Sequence, residues 1–226
     1  MEENNQPAHK SHAATWLLVL ICIAAYPFGI TQGNLLAFSY NNLVYKNEWW
    51  TVITATFIHG NLQHLLGNML FLFLFGRALE EKVGPVRLLF CFFVSGALCN
   101  LSSVLFFSAD QPLVGASGAI STILGLLMIY SPWRMSFLLN FFPMPMGVAA
   151  LTYVLLNIVM TYRSGQGGPT HGMQTAYQIH IIGFLIGIVF SMFWNKDWKE
   201  NLFISILSFI VFYVILAFII GYFNMH

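Results

Sequence analysis

The chain has 226 residues, of which 58% are apolar and 8% charged, with a formal net charge of +1. Soluble domains carry roughly a quarter charged residues, so this chain has too few to cover a globule in water, and it offers no basic surface for nucleic-acid phosphates. With 22 Phe, 6 Trp and a mean hydropathy of +0.74, the composition is that of a polytopic, all-α membrane protein with one domain.

A spanning helix needs about 20 apolar residues. Seven stretches qualify in chain order, at roughly 14–31, 57–76, 86–107, 116–132, 145–162, 176–194 and 201–223. The first could be read as a signal peptide, but its apolar run is long and Glu2 and Glu3 accompany Lys10 in front of it, so a spanning helix is expected. The fourth is short and opens in a Gly-rich turn, which suits a helix buried inside protein.

Lys and Arg set the orientation. With the N-terminus in the cytoplasm, Lys10, Arg77, Lys82, Arg87, Arg134, Lys196 and Lys199 lie inside, and only Lys46 and Arg163 outside. The C-terminus, after seven crossings, is then external. Trp49 and Trp50 in the first external loop suit the membrane interface. The Gly-rich loop 163–175, with the fifth helix, is the expected gate. Cys22, Cys91 and Cys99 sit singly in apolar runs and read as small buried side chains.

Polar residues inside spanning segments are costly and point to function. Three places stand out. His64 and Asn68, in the second stretch, are four apart and share a helix face. His59 precedes them at the helix start and is expected to point elsewhere. A metal site is a rival reading, but no carboxylate or Cys completes a ligand set at a familiar spacing. The second place is Gly115-Ala116-Ser117-Gly118, at the outer start of the fourth helix, where free backbone N–H groups can receive a developing negative charge. The bland alternative is a serine in a small-residue packing motif. The third is His180, followed by Gly183 and Gly187 as a close-packing GxxxG face.

The second, fourth and sixth helices run in the same direction, so these residues lie at similar depth below the external face. If Gly118 and the Gly183–Gly187 face let the fourth and sixth helices touch, Ser117 comes within reach of His180. Serine beside histidine is an activated nucleophile. His64, Asn68 and the Ser117 N–H can then stabilise an oxyanion.

Together these residues resemble the rhomboid family of intramembrane serine proteases, over about residues 14–195. Glu48-Trp49-Trp50-Thr51 and the His59, His64, Asn68 series resemble the entry into the second helix. Gly76, Glu80 and Gly84 resemble the turn after it. Gly115-Ala116-Ser117-Gly118 resembles the nucleophile motif, and His180 with Gly183 and Gly187 the histidine helix. The resemblance implies a six-helix rhomboid-like core over 14–195, a tail at 1–13 and an extra C-terminal helix within 196–226, seven helices in all. It implies a Ser117 nucleophile and a His180 base acting as a dyad. His64 and Asn68 would be oxyanion residues and His59 a loop-positioning residue, with Glu80 and Arg77 structural. It further implies no metal or cofactor, and substrates that are single-pass membrane segments cut near the outer face. Separately from the resemblance, a plasma (inner) membrane is expected. Three positions depart from the family pattern. Ser121 stands where many relatives have an aromatic that stacks on the histidine, Ile179 where many have Ala, and Thr51 where many have Arg. Two alternatives complete the reading. One is a silent rhomboid-like protein that binds membrane segments. The other is a small transporter, which the apolar run Ile123–Ile129 in the inner half of the fourth helix disfavours.

Overall fold

The computed structural model describes residues 12–136, 143–165 and 176–223. Seven long helices carry the architecture: α1 (Ala13–Leu36), α4 (Leu62–Val83), α5 (Pro85–Ser102), α6 (Ser117–Tyr130), α7 (Met146–Gly165), α8 (Tyr177–Trp194) and α9 (Trp198–Phe223). Two short helices, α2 (Tyr40–Val44) and α3 (Thr51–Thr54), lie in the segment between α1 and α4. A pair of two-residue antiparallel strands, Met135–Ser136 with Met144–Pro145, precedes α7. All the long helices except α6 are long and apolar enough to cross a membrane. The chain is an integral membrane helix bundle.

The centre of the bundle is α6. It has only 14 residues, and every one from Gly118 to Ile129 is buried. Its neighbours α4, α5, α7, α8 and α9 all pack on it. A helix wrapped in protein does not have to reach both lipid interfaces, because its ends can be satisfied by neighbouring chain.

The seam between α6 and α8 is a backbone-to-backbone contact. A Cβ on Gly183 would lie 2.2 Å from the Gly118 carbonyl oxygen, one on Gly187 2.3 Å from that of Thr122, and one on Gly125 2.4 Å from that of Phe184. Both helices advance together along this seam, so they run parallel. Thr122 Oγ1 donates across it to the Gly183 carbonyl at 2.7 Å. In lipid, helices gain nothing by hiding apolar side chains from water, so small residues and interhelical hydrogen bonds supply the association.

The second spanning helix begins later than the apolar run alone predicts. Residues 57–61 are not part of it: α4 starts at Leu62, where the Asn61 side chain accepts the His64 backbone N–H at 2.7 Å. That contact satisfies one of the free donors of the first turn. The preceding segment turns away as α3 and packs on α5, with Asn100 Nδ2 donating to the Val52 carbonyl at 2.9 Å. Irregular backbone is tolerated at this depth because it is covered by protein. The third stretch is also shorter, since α5 ends at Ser102 and a single 3-10 turn follows over Ser103–Leu105.

At the other end of α4, the buried Glu80 carboxylate caps α1. It accepts from the backbone N–H of Ala14 (3.1 Å) and Thr15 (2.9 Å) and from Thr15 Oγ1 (2.6 Å). An anion at a helix N-terminus meets both the orphan N–H groups and the positive end of the helix dipole. The Arg77 guanidinium sits over the Phe73 ring, 5.0 Å from its centroid. The last helix, α9, is the most exposed of the spanning helices. It is attached to α7 and α6 through Ser205, whose Oγ donates to the Met128 carbonyl at 3.2 Å, and through a 2.9 Å bond between Thr152 Oγ1 and the Tyr213 hydroxyl.

Candidate active site

The site forms at the shared start of α6 and α8. Ser117 is the first residue of α6, and the loop before it is pinned from two sides. Phe38 and Leu113 form a reciprocal backbone pair, and the Gly115 N–H donates to the Ala55 carbonyl at 2.8 Å. Gly115 has φ +116°, a conformation that L side chains rarely adopt. The space a Cβ would take there is filled by His64, with Cε1 2.6 Å and Nε2 2.8 Å from that position and Asn68 Nδ2 at 3.4 Å. Glycine at 115 thus lets the loop turn and brings His64 and Asn68 of α4 against the approach to Ser117.

Ser117 Oγ lies 2.9 Å from His180 Nε2. The two residues come from different helices, 63 positions apart, and meet because the α6–α8 seam begins one residue after Ser117, at Gly118. Both are half-buried, so the pair is covered on one side and open on the other. His180 Nδ1 faces Asn157 Oδ1 of α7, also at 2.9 Å. Asn157 Nδ2 donates to the Tyr153 carbonyl at 2.8 Å, which identifies Oδ1 as the atom turned to the histidine. The Tyr153 ring lies nearly parallel to the imidazole, at 29° and 6.2 Å between centroids, and Tyr177 meets it edge-on at 6.4 Å.

Asn68 is buried, and its Nδ2 has no hydrogen-bond partner among the described residues. An unpaired amide donor at membrane depth is costly, so its position beside the Ser117 loop is informative. His59 is fully buried and does not point elsewhere, contrary to expectation. Its ring meets that of His64 edge-on at 5.1 Å, and its Nδ1 is 3.2 Å from the Phe57 carbonyl. The late start of α4 causes this: His59 sits in the turn before the helix, which folds back over the first α4 residues. Gly118 faces Cys99 of α5 as well as α8. Among the described residues, no three His, Cys, Asp or Glu side chains converge to hold a metal ion.

Asn157 and Tyr153 were not singled out from the sequence. An amide inside the apolar run 145–162 is the kind of residue that bilayer cost arguments flag, so Asn157 carried a usable signal. Tyr153 carried none. Its ring lies nearly parallel to the His180 imidazole, and its hydroxyl is 2.7 Å from Ser121 Oγ. The gate loop expected at 163–175 falls largely outside the described residues, which resume at 176.

The profile of the Rhomboid domain matches residues 46–197, a span that holds every residue of this site. The chain belongs to the rhomboid family. It is 28% identical over 199 residues to Rhomboid-like protein 11, chloroplastic, of Arabidopsis thaliana, covering 83% of this chain and 67% of that one. It is 27% identical over 156 residues to Rhomboid protease GlpG of Haemophilus influenzae, covering 69% and 75%. It is also 27% identical over 135 residues to Inactive RHOMBOID-like protein 8 of Arabidopsis thaliana, covering 52% and 38%. Other curated relatives are matched over 17% to 53% of their length. The family thus includes proteins named as proteases and one named as inactive.

Proposed function

We propose that this rhomboid is an intramembrane serine endopeptidase that hydrolyses peptide bonds in single-pass membrane segments. The observation that carries the reading is the 2.9 Å contact between Ser117 Oγ and His180 Nε2. In this mechanism His180 takes the hydroxyl proton as Ser117 Oγ attacks the scissile carbonyl carbon. The tetrahedral oxyanion forms beside the start of α6, where backbone N–H groups lack intrahelical acceptors. The unpaired Asn68 Nδ2 and His64 are next to that loop and supply further donors. His180 then gives the proton to the leaving amine, and the C–N bond breaks to leave an acyl-enzyme. A water, deprotonated by the same nitrogen, hydrolyses the ester and restores Ser117. His59 supports the ring of His64.

The excess of Lys and Arg on one set of loops supports a cytoplasmic N-terminus. Cleavage then occurs near the outer face. Substrates with weak helices are favoured, since unwinding a stable helix in lipid exposes backbone groups at several kcal/mol each. The chemistry uses no cofactor.

The test is cleavage of a fluorescent single-pass reporter in liposomes by wild type, Ser117→Ala and His180→Ala. Loss of at least about a thousandfold in both variants is expected. Labelling by a serine-reactive fluorophosphonate should depend on Ser117 as well. A silent wild type whose Ser117 is not labelled would favour a non-catalytic protein that binds membrane segments, in line with the relative named as inactive. Cleavage by Ser117→Ala would refute the mechanism.

A further inference from the structure

We propose that Asn157 and Tyr153 of α7 are positioning residues for His180: they choose its tautomer and hold its ring plane, so the base is assembled from three helices and not two. The inference rests on the protease reading for its consequences, although its structural core can be tested without any turnover.

Two hydrogen bonds fix the tautomer. Asn157 Nδ2 is committed to the Tyr153 carbonyl, so Oδ1 faces His180, and a carbonyl oxygen can only accept. The proton of a neutral imidazole must then sit on Nδ1. Nε2 is left with its lone pair turned to Ser117 Oγ, which is the only arrangement in which it can take the serine proton. In the other tautomer, two lone pairs would face each other across 2.9 Å in a buried setting. Asn157 is itself buried, and as a neutral amide it avoids the cost of a carboxylate at this depth. When His180 becomes imidazolium, the Nδ1–H bond to Oδ1 strengthens, because a charged donor makes a stronger bond.

Tyr153 fixes the plane. Ser121 Oγ donates to the Ser117 carbonyl at 2.8 Å, which uses its one proton. The Tyr153 hydroxyl therefore donates to Ser121 Oγ. The ring lying over His180 is thereby anchored on the helix that begins with the nucleophile. Serine at 121 is small enough to leave the face of His180 free, and a ring from α7 takes it. Neither residue touches a substrate in this scheme. Both act through His180.

The experiment uses full-length protein in liposomes, selectively ¹⁵N-labelled at histidine, with His180 signals assigned by loss in His180→Ala. At neutral pH, wild type should show Nδ1 protonated and Nε2 bare, and Asn157→Ala should show a mixture. The same proteins are assayed for reporter cleavage and for fluorophosphonate labelling of Ser117. Asn157→Ala should lose on the order of 10- to 100-fold in kcat and in labelling rate, with KM within about twofold. Asn157→Asp keeps an acceptor on Nδ1, so it should recover labelling and move the acid limb of the pH profile upward, because a carboxylate favours the imidazolium. Tyr153→Phe keeps the ring and loses its anchor, and should fall between wild type and Tyr153→Leu. Melting in detergent identifies any variant that fails to fold, and the tautomer in wild type alone then decides. An Nε2-protonated His180 in wild type, or folded Asn157→Ala with an unchanged tautomer and rate, would overturn the proposal. If the tautomers behave as stated but wild type neither cleaves nor labels, the positioning stands and the protease reading fails.

Discussion

Where α8 meets α6, Gly125, Gly183 and Gly187 put the two backbones in direct contact, and Ser117 and His180 face each other at the end of that seam. On α9, by contrast, side chains such as Phe203 (65% exposed) and Phe218 (82% exposed) project away from the protein. Both regions are overwhelmingly apolar, so composition does not distinguish them. The difference is tolerance. A hydrogen bond between two helices requires their separation to be held within a few tenths of an ångström. A lipid-facing surface asks only for enough apolar length. Backbone contact through glycine leaves little slack between two helices, and here it lies beside the contact between Ser117 and His180.

The sharpest way to break the contrast is Gly183→Val. The new side chain would enter the Gly118 carbonyl and force α6 and α8 apart. Cleavage should fall more than about a hundredfold, with a stability loss of about 3 kcal/mol, measured by reporter turnover and by melting in detergent. Near-normal activity would mean that the seam does not set the Ser117–His180 distance.

Asn68→Ala probes the same end of the bundle without touching the seam. Its amide donor has no partner among the described residues, so removal should not lower the melting temperature. If it serves the oxyanion, kcat should drop roughly a hundredfold at constant KM. A drop in stability with unaltered kcat would reassign it to structure.

Glu80→Ala tests a precise contact that lies away from the candidate site. It strips the acceptor from three donors at the start of α1. Stability should fall by about 2–3 kcal/mol, while kcat measured well below the melting point changes little. Phe218→Ala, on the loose face, should alter stability by less than about 0.5 kcal/mol and activity not at all. An appreciable effect there would show that α9 has a protein neighbour and not lipid.

Much of the fold was legible because membrane insertion is decided locally. A run of apolar residues long enough to span declares itself without reference to the rest of the chain; six of the seven long helices were visible that way, and α6 as a shorter apolar run. The boundaries that went astray are instructive. Residues 57–61 fall within the second expected stretch, yet Asn61 caps the helix at Leu62 and the segment before it turns onto α5. A cap is a contact between a side chain and a backbone, and hydropathy does not register it.

The candidate site divides along the same line. Ser117, His64, Asn68 and His180 stood out because polar groups at membrane depth are expensive, and the glycines beside them pointed to close packing. The sequence could not say that His59 folds back on His64, nor that Asn157 takes the far nitrogen of His180 and Tyr153 its face. Those facts depend on the rotation of α7 about its own axis and on the small side chain at 121. Composition and spacing therefore determined that the chain spans a membrane and which residues are costly there. Only the packing of α6, α7 and α8 decided which of those residues meet, because that depends on relative helix placement to a fraction of an ångström, and no single helix encodes it.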